Sequence, residues 1–526
     1  MIRVLRGRPE RLKSRRLPLT LFALAGITAF IHGGWESKAQ KVGGGLPPTI
    51  PKTWDDEALA SLEVPLADAG ASPVHISSEY YYRIPVRQIY KSYPVYAPGK
   101  EPAGYWAWLQ QQEPVMVFDA SKIKTEADWI RAGEIVFDAP TDYDADITVS
   151  EVKNPAWYEA TGVPLAKDGT MPFTRYAIRK RGQVELGNFS CAMCHTRVRP
   201  DGTSIQGAQG NFPLDRALAF FFRARAAEAK DEKRFLERVR LGLRFLFAAP
   251  WLQPDPLGRL EQMSIQEIAS AHQAIPPGVL ARRGTSPFYP VQVPDLIGVN
   301  DRRYLDHTGL VLHRTIGDLM RYAALNQGGD DLNRFGDFRP LEALVGKLPD
   351  PAAQTRYSDE QLYALALYIY SLKPPPNLNQ PGALARRGQK IFEREGCGRC
   401  HTPPLYTNNQ LTPVDGFRVP ADHFKKYDVL SISVGTDPNL ALKTRRGTGC
   451  YKVPSLKGVW YRGPFEHSGS VATLEDWFDP RRTSEGYIPT GFRGFGVRTR
   501  AVKGHTFGLD LPVEDRKALI AFLKTL

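Results

Sequence analysis

Two five-residue stretches of the chain carry residue types that together can hold a metal cofactor. They read Cys191-Ala192-Met193-Cys194-His195 and Cys397-Gly398-Arg399-Cys400-His401. In each, two cysteines stand three positions apart and a histidine follows directly, which is the attachment pattern of a c-type haem. The thiols add to the vinyl groups on one edge of the porphyrin, and the histidine binds the iron. The sequence therefore predicts two covalently bound haem c groups, with His195 and His401 as iron ligands.

The main alternative to haem is a zinc site built from the two Cys-x-x-Cys pairs. It leaves unexplained why a histidine follows both pairs at the same offset. The two motifs use four of the five cysteines in the chain. The fifth, Cys450, has no partner in the sequence, and we expect it to be a small buried residue rather than a reactive thiol.

The residue opposite His401 must come from a short set of candidates. No methionine follows Met320, so a downstream thioether cannot bind the second iron. The histidines beyond the second motif are His423, His467 and His505.

The composition is that of a soluble globular protein with substantial cores. The chain has 526 residues, of which 42% are hydrophobic and 24% are charged. The net charge is +13, but residues 1–39 hold eight basic residues against two acidic ones. The remainder is therefore modestly basic, which gives little support to a nucleic-acid partner.

Residues 1–39 have the features of an export signal. A basic stretch precedes an apolar run at residues 17–31, and Ser37-Lys38-Ala39 offers a small-x-small cleavage site. The run is shorter than the roughly 20 residues of a comfortable membrane span, although an uncleaved anchor remains the alternative. Export agrees with the two motifs, and we predict a periplasmic or secreted protein.

Helical periodicity and proline-rich breaks divide the rest of the chain into three parts. We predict a mainly α fold in which residues 171–375 and 376–526 form two cytochrome c-like haem domains with long loops. Residues 40–170 form a large, irregular, aromatic-rich N-terminal extension. The predicted helices lie near residues 125–133, 214–227, 233–247, 359–372 (with Ser358 as its cap), 383–395 and 512–526.

Two further patterns concern the surroundings of the motifs. The helices at residues 358–372 and 513–526 resemble each other, and each follows a Cys-x-x-Cys-His motif, which indicates an internal repeat of two cytochrome-like units. Residues 201–212 are rich in glycine. These glycines either let the backbone approach a flat ligand closely or form a plain surface loop.

The C-terminal part resembles the di-haem cytochrome c peroxidase and MauG superfamily. The resemblance rests on residues 453–474, which begin Val-Pro-Ser-Leu-Lys-Gly-Val-Trp and end Gly-Pro-Phe-Glu-His-Ser-Gly-Ser-Val-Ala-Thr-Leu. The aromatic extension, the Arg-Lys-Arg-Gly lead at residues 179–182 and the placement of both motifs are more similar to the rubber oxygenase A-like branch. The superfamily resemblance covers about residues 170–526.

The resemblance implies roles for several histidines. The superfamily places the sixth ligand of the second iron before the last helix, in a segment that here reads Gly504-His505-Thr506-Phe507-Gly508-Leu509. This favours His505 as that ligand, His467 as a haem-pocket residue bonded to a propionate or the backbone, and His423 as a surface residue. The resemblance also allows one calcium ion between the haem domains, which the sequence leaves open.

The first haem departs from the peroxidase pattern. Peroxidase members have a distal histidine soon after the first motif, whereas the next histidine here is His272. Because cleavage of a peroxide bond usually needs a distal base, this favours an open haem face in an apolar pocket, as in the rubber oxygenase branch. His272, His307 and His313 remain candidates for a distal ligand. The aromatic candidates for the pocket and for catalysis are Trp251, Phe288, Tyr289 and Tyr304.

The expected function is that of an exported di-haem oxidoreductase. The resemblance implies that the first haem, on His195, activates dioxygen for oxidative cleavage of an apolar alkene or polyisoprene-like substrate. The second haem, on His401 and His505, is structural or relays electrons from a small redox protein. The alternatives are a peroxidase or MauG-like enzyme that uses hydrogen peroxide, and a pure electron-transfer cytochrome.

Overall fold

The computed structural model describes residues 49–526 of the chain. The predicted export signal at residues 1–39 lies outside this range. Among the described residues, no helix combines the length and the apolar character needed to cross a membrane. The fold is rich in helices and also contains several small antiparallel sheets.

The helices and strands are numbered here in chain order. The helices are α1 Asp56–Ala60, α2 Ser78–Arg83, α3 Tyr105–Gln110, α4 Glu126–Asp138, α5 Val149–Val152, α6 Pro155–Thr161, α7 Cys191–His195, α8 Leu214–Glu228, α9 Glu232–Phe247, α10 Gly258–Glu261, α11 Ile265–Gln273, α12 Ile316–Ala324, α13 Asp330–Leu332, α14 Pro340–Val345, α15 Asp359–Ser371, α16 Ala383–Arg394, α17 His423–Lys426, α18 Asn439–Leu442, α19 Leu474–Trp477 and α20 Val513–Leu523. The strands are β1 Pro73–Val74, β2 Ser92–Tyr96, β3 Asp142–Tyr143, β4 Thr170–Lys180, β5 Gln183–Asn188, β6 Thr196–Val198, β7 Ser204–Gln206, β8 Val279–Leu280, β9 Val291–Gln292, β10 Tyr304–Leu305, β11 Val311–Leu312, β12 Arg334–Phe335, β13 Leu411–Pro413 and β14 Cys450–Lys452.

The predicted helices are confirmed as α4, α8, α9, α15, α16 and α20. Their starts follow capping chemistry. Ser358 accepts a hydrogen bond from the backbone N–H of Gln361 at 3.1 Å, and the Gln361 side chain accepts from the backbone N–H of Ser358. Thr125 and Asp128 cap α4 in the same reciprocal way. Such caps satisfy N–H groups that the first turn of a helix leaves unpaired.

The fold is rich in helices as predicted, but the prediction of an irregular extension is wrong for residues 92–188. A four-stranded antiparallel sheet in the order β2-β4-β5-β3 occupies this region. Strand β4 pairs with both β2 and β5, so the sheet spans the predicted boundary at residue 170. Adjacent residues of β4 and β5 are buried, so parts of both faces of the sheet are covered, and the β-branched and aromatic residues suit such a pleated surface.

Two pairs of helices cross at glycines in a matching way. Gly133 of α4 packs against α15, where an added Cβ would lie 2.0 Å from the carbonyl oxygen of Ala364. Gly388 of α16 packs against α20, where an added Cβ would lie 1.9 Å from the carbonyl oxygen of Ala518. Only glycine lets the helix backbones approach this closely. Helix α4, predicted as part of the extension, therefore pairs with α15 as α16 pairs with α20.

Hydrophobic clusters surround both motifs. The sheet cluster joins the sheet to helices α8, α9 and α11, and it includes Phe173, Leu186, Phe222, Phe247 and Ile268. The α4–α15 cluster includes Val136, Phe137, Leu362 and Leu365. The second-motif cluster joins α16 to α20 and includes Ile391, Phe392, Ala518 and Phe522. Burying each large apolar side chain contributes about 1.5–3 kcal/mol, so these clusters hold the motif segments in place.

Candidate haem-binding sites

The first motif forms the short helix α7 between two cores. The hydroxyl of Ser190 caps this helix by accepting a hydrogen bond from the backbone N–H of Met193 at 3.1 Å. Met193 and Cys194 pack in the sheet cluster, whereas Cys191 packs in the α4–α15 cluster. The two thiols are therefore buried at the junction of the clusters. Burial raises the pKa of Cys191 and of Cys194 to about 12, so both are neutral thiols.

His195 is held in the protonation state that a metal ligand requires. Its Nδ1 lies 3.1 Å from the carbonyl oxygen of Pro294. Because a carbonyl can only accept, Nδ1 carries the proton and Nε2 keeps its lone pair. Burial lowers the pKa of His195 to about 4, so the ring is neutral at pH 7. Nε2 is buried and has no hydrogen-bond partner within the described residues, which fits an iron-binding atom.

The second motif has the same arrangement. Its cysteines follow α16 in a 3-10 turn at Cys397–Arg399. Nδ1 of His401 lies 3.1 Å from the carbonyl oxygen of Pro454 and 3.3 Å from that of Tyr406. Burial lowers the pKa of His401 to about 4, so this ring is also neutral and presents Nε2 as a ligand atom.

The structure brings His505 opposite His401. Their ring centroids are 6.1 Å apart and their planes are inclined by 58°. When two imidazoles bind one metal ion from opposite sides, the expected distance between ring centroids is about 6 Å. It is the sum of two metal–nitrogen bonds of about 2 Å each and the distance from each ring centre to its nitrogen. Burial, reinforced by the nearby His401, lowers the pKa of His505 to about 3. The spacing and the neutral rings thus fit a single iron between the two imidazoles.

A buried arginine anchors the loop that carries His505. Arg482 donates hydrogen bonds to the carbonyl oxygens of Val502 at 2.6 Å, Gly504 at 3.0 Å and His505 at 2.8 Å. A cavity of about 570 Å³ lies beside this loop and is lined by Glu395, Pro480, Thr483, Thr506, Phe507, Gly508, Leu509 and Asp510.

The two proline carbonyls belong to a repeat that the sequence reasoning missed. Residues 293–309 and 453–469 share the pattern Val-Pro-x-Leu-x-Gly-Val-x-x-Arg-x-x-x-x-His-x-Gly. The backbones match as well. The φ angles are 75° at Asp306 and 68° at Glu466, and they are 67° at Gly309 and 68° at Gly469. The signal was present in the sequence as identical residues at identical spacing.

The two repeats contact each other reciprocally. The backbone N–H of Gln292 donates to the carbonyl oxygen of His467 at 2.8 Å, and that of Lys452 donates to the carbonyl oxygen of His307 at 3.0 Å. Gln292 and Lys452 each directly precede their repeat. The repeats are therefore related by an approximate two-fold axis that passes between the loops behind His195 and His401.

A network of buried arginines surrounds Asp306 of the first repeat. Arg282 and Arg446 both bind Asp306, at 2.7 Å and 3.0 Å. Arg446 also binds Asp330 at 2.8 Å. Burial opposes ionisation of Asp306, but the two guanidinium groups outweigh it and hold the pKa of this carboxyl far below its usual range. The sequence hinted at this network through Arg-Arg-Gly-Thr at residues 282–285 and 445–448.

The aromatic residues predicted to line the haem pocket do not pack in one hydrophobic cluster. Trp251 packs against the α4–α15 cluster and stacks on Phe335. Phe288 packs against the sheet cluster, with Arg259 over its ring at 4.3 Å. Tyr304 belongs to a separate cluster, where its hydroxyl donates to the carbonyl oxygen of Tyr427 at 2.5 Å. Tyr289 is partly buried near Lys443.

The remaining histidines fall into distinct surroundings. His272 is fully buried, with Nδ1 2.7 Å from Asp215 and Nε2 without a hydrogen-bond partner in the described range. His307 and His313 both use ring nitrogens on backbone carbonyls. His467 contacts Glu466 through Nδ1 and the hydroxyl of Tyr451 through Nε2, which leaves neither ring nitrogen for a propionate.

Three predicted sites remain to be placed. His423 begins the partly exposed helix α17 and contacts the Tyr427 ring edge-to-face. Cys450 is buried in β14, as expected, and burial raises its pKa to about 12. Across residues 49–526, no group of three or more His, Cys, Asp or Glu side chains is placed to hold a metal ion. A zinc site of clustered side chains is therefore not formed, and neither is a calcium site of clustered carboxylates.

Comparisons with known proteins give weak likenesses. No protein-family model and no curated protein matches the chain. One similar solved structure is hydrazine synthase of Kuenenia stuttgartiensis, pressurised with xenon, at 18% identity over 56% of this chain and 88% of that one, with a TM-score of 0.25. Another is a MauG-like protein associated with microbial copper homeostasis, at 20% identity over 32% of this chain and 56% of that one, with a TM-score of 0.21. With TM-scores this low, neither likeness decides the function.

Proposed function

We propose that this chain is an exported di-haem c oxidoreductase with two unequal haem sites. The observation that carries the proposal is the difference between the two proximal histidines. His401 faces a second imidazole, that of His505, at a spacing suited to one iron. His195 has the same proline-carbonyl support, but among the described residues no second imidazole is found in ring contact with it as His505 is with His401. The site at His195 is therefore the proposed catalytic site.

The proposed reaction is oxidative cleavage of an apolar alkene by dioxygen, with polyisoprene-like molecules as the substrate class. When bound, haem c supplies redox-active iron, with a position for dioxygen where only one protein ligand is present. The chain holds the proton on Nδ1 of His195 through Pro294, and the buried cores around α7 exclude water. At the other site, His401 and His505 provide two neutral imidazoles and Arg482 positions the second of them.

A peroxide-using enzyme is the second candidate, and His272 is the residue that favours it. Asp215 orients this histidine by accepting from its Nδ1 at 2.7 Å, which leaves Nε2 as a lone-pair atom in a buried setting between Phe222 and Phe247. A histidine oriented in this way can act as a general base. Its neighbours belong to the same sheet cluster as Cys194.

Product analysis of the purified holoprotein tests the proposal. The protein is incubated with polyisoprene latex and isotopically labelled dioxygen, without added peroxide. We expect labelled carbonyl products, lost in a variant with Cys191→Ser and Cys194→Ser that lacks the first attachment. Products that require hydrogen peroxide would favour the second candidate. A complete lack of carbon monoxide binding by the ferrous protein would instead favour a pure electron carrier that receives electrons from a small redox protein.

A further inference from the structure

A buried ammonium group lies where the two repeats meet. Lys452 ends β14 and directly precedes the second repeat. The residue as a whole is partly buried, and its Nζ is shielded from solvent and has no hydrogen-bond partner among the described residues. Removing an ammonium ion from water costs several kcal/mol unless it is paired. A partner of opposite charge is therefore expected at this position.

Two more cations face the same place. Arg302 and Arg462 occupy equivalent positions in the two repeats. Each binds the loop behind one proximal histidine. Arg302 donates to the carbonyl oxygen of Ile297 at 2.7 Å, and Arg462 donates to that of Ser455 at 2.9 Å. Burial lowers the pKa of Lys452 to about 7. Asp306 opposes this shift, and the nearby charges of Arg302 and Arg462 add to it.

The carboxylates nearby do not balance these three cations. Asp306 is already shared between Arg282 and Arg446. Asp295 lies 4.0 Å from Arg462 and accepts a hydrogen bond from the hydroxyl of Tyr461 at 2.7 Å. Asp295 and, more weakly, Asp301 beside Arg302 remain to offset Lys452 and the two arginines. Three cations thus face two carboxylates at this position, around an ammonium nitrogen that is shielded from solvent.

We propose that Lys452, Arg302 and Arg462 form a carboxylate-binding site on the approximate two-fold axis, and that its ligands are propionate groups of the haems attached at the two motifs. The second part rests on the proposed function. The position supports it, because the site touches the loop behind His195 through Arg302 and leads directly into the loop behind His401 through Lys452. A free small carboxylate has the same chemistry and is the other source to be distinguished.

Reduction potentials of the holoprotein test this site. The wild type is compared with Lys452→Met, Lys452→Gln, the charge-preserving Lys452→Arg and the control Lys457→Gln, whose side chain is about half exposed. Haem content is first confirmed by mass. Loss of the buried charge in Lys452→Met and Lys452→Gln should lower the reduction potential of at least one haem by about 59 mV. This corresponds to a tenfold change in the equilibrium constant of a one-electron reduction. Lys452→Arg and Lys457→Gln should retain the wild-type values.

An acetate titration identifies the source of the carboxylate. If propionates occupy the site, acetate leaves the wild-type potentials and melting temperature unchanged. If acetate raises the melting temperature of the wild type but not of Lys452→Met, the site takes a free carboxylate, and the propionate part is overturned. The whole inference is overturned if three results are found together: both haems are present, Lys452→Met and Lys452→Gln have the potentials of Lys457→Gln, and acetate has no effect. The proposed function would stand in that case. A mass showing fewer than two haems would instead remove the proposed function and the propionate source together.

Discussion

The imidazole rings of His401 and His505 lie with their centroids 6.1 Å apart, although the residues are separated by most of the C-terminal part of the chain. Three backbone carbonyls bound by Arg482 hold the second ring in this position. The proton on the first ring is held by Pro454. Both rings are neutral, but only the His401 ring has a hydrogen bond at Nδ1, because Nδ1 of His505 has no partner among the described residues. Two neutral imidazoles at this spacing fit two ligands of one iron.

Replacing His505 with alanine should open the second site. We expect the ferrous wild type to bind carbon monoxide at one haem and His505→Ala to bind it at two, because the variant loses one axial imidazole. Difference spectra under titration give the stoichiometry. His423→Ala is the control, since this histidine lies on the partly exposed α17. An unchanged stoichiometry in His505→Ala would show that His505 is not a ligand.

Replacing Gly210 with alanine should disturb the first motif. A Cβ at Gly210 would lie 1.9 Å from the carbonyl oxygen of Cys194, so the motif backbone would have to move. We expect this variant to lose most of its haem at the first motif and to keep the second, as measured by mass spectrometry of tryptic peptides. Gly258→Ala is the matched control, because nothing lies within 4 Å of its added Cβ. Full haem content in Gly210→Ala would refute this account of the close approach.

Glu466 should contribute stability that depends on pH in a defined direction. Burial opposes ionisation of this carboxyl, but His467 and Ser468 outweigh it and lower its pKa to about 2. Its contribution should be complete above about pH 5 and lost as the pH falls through 2. Denaturant unfolding of wild type and Glu466→Gln should differ by about 3 kcal/mol at pH 7. The difference should shrink on acidification.

The exposed Glu514 provides the control for this pH series. The side chain of Glu514 pairs with Lys517 at the surface. The variant Glu514→Gln should therefore have nearly the same free energy of unfolding as the wild type at every pH. A difference between wild type and Glu466→Gln that is constant from pH 7 to pH 3 would contradict the coupling of Glu466 to His467.

His272 separates the two candidate reactions. If the enzyme uses dioxygen as proposed, His272→Gln should keep turnover within about tenfold of the wild type, since no general base is needed. If it uses peroxide, the same variant should lose a factor of about 10²–10⁴. The hydrogen-bonded pair is tested with two single variants, His272→Gln and Asp215→Asn. The turnover of each is measured with dioxygen and with hydrogen peroxide. Equal large losses in melting temperature would identify a purely structural pair.

Local signals in the sequence were sufficient for the helices and for part of the site. The caps at Thr125 and Ser358 and the helical periodicity predicted α4 and α15 closely. Elimination of methionine left three histidines, and the family resemblance selected His505 among them. The structure places that residue opposite His401. Helix caps depend on residues close together in the chain, and the iron ligand had few candidates because few residue types can bind iron.

Other features depend on contacts between distant residues. Strands β3, β4 and β5, at residues 142–188, separate α4 from the first motif in the chain. This insertion concealed that α4 pairs with α15 as α16 pairs with α20. The pocket aromatics could not be chosen, because Trp251, Phe288 and Tyr304 each have an apolar cluster to join. The repeat at residues 293–309 and 453–469 was visible in the sequence, but its reciprocal contacts require the fold.

The most direct test of the account is to count haems and open iron positions in the same purified sample. Intact mass and haem absorbance give the number of covalent haems, and carbon monoxide titration of the ferrous protein gives the number of open positions. The account predicts two haems and one open iron position in the wild type. It predicts no open position in the double variant Cys191→Ser, Cys194→Ser. Fewer than two haems, or an open position that persists in that variant, would contradict it.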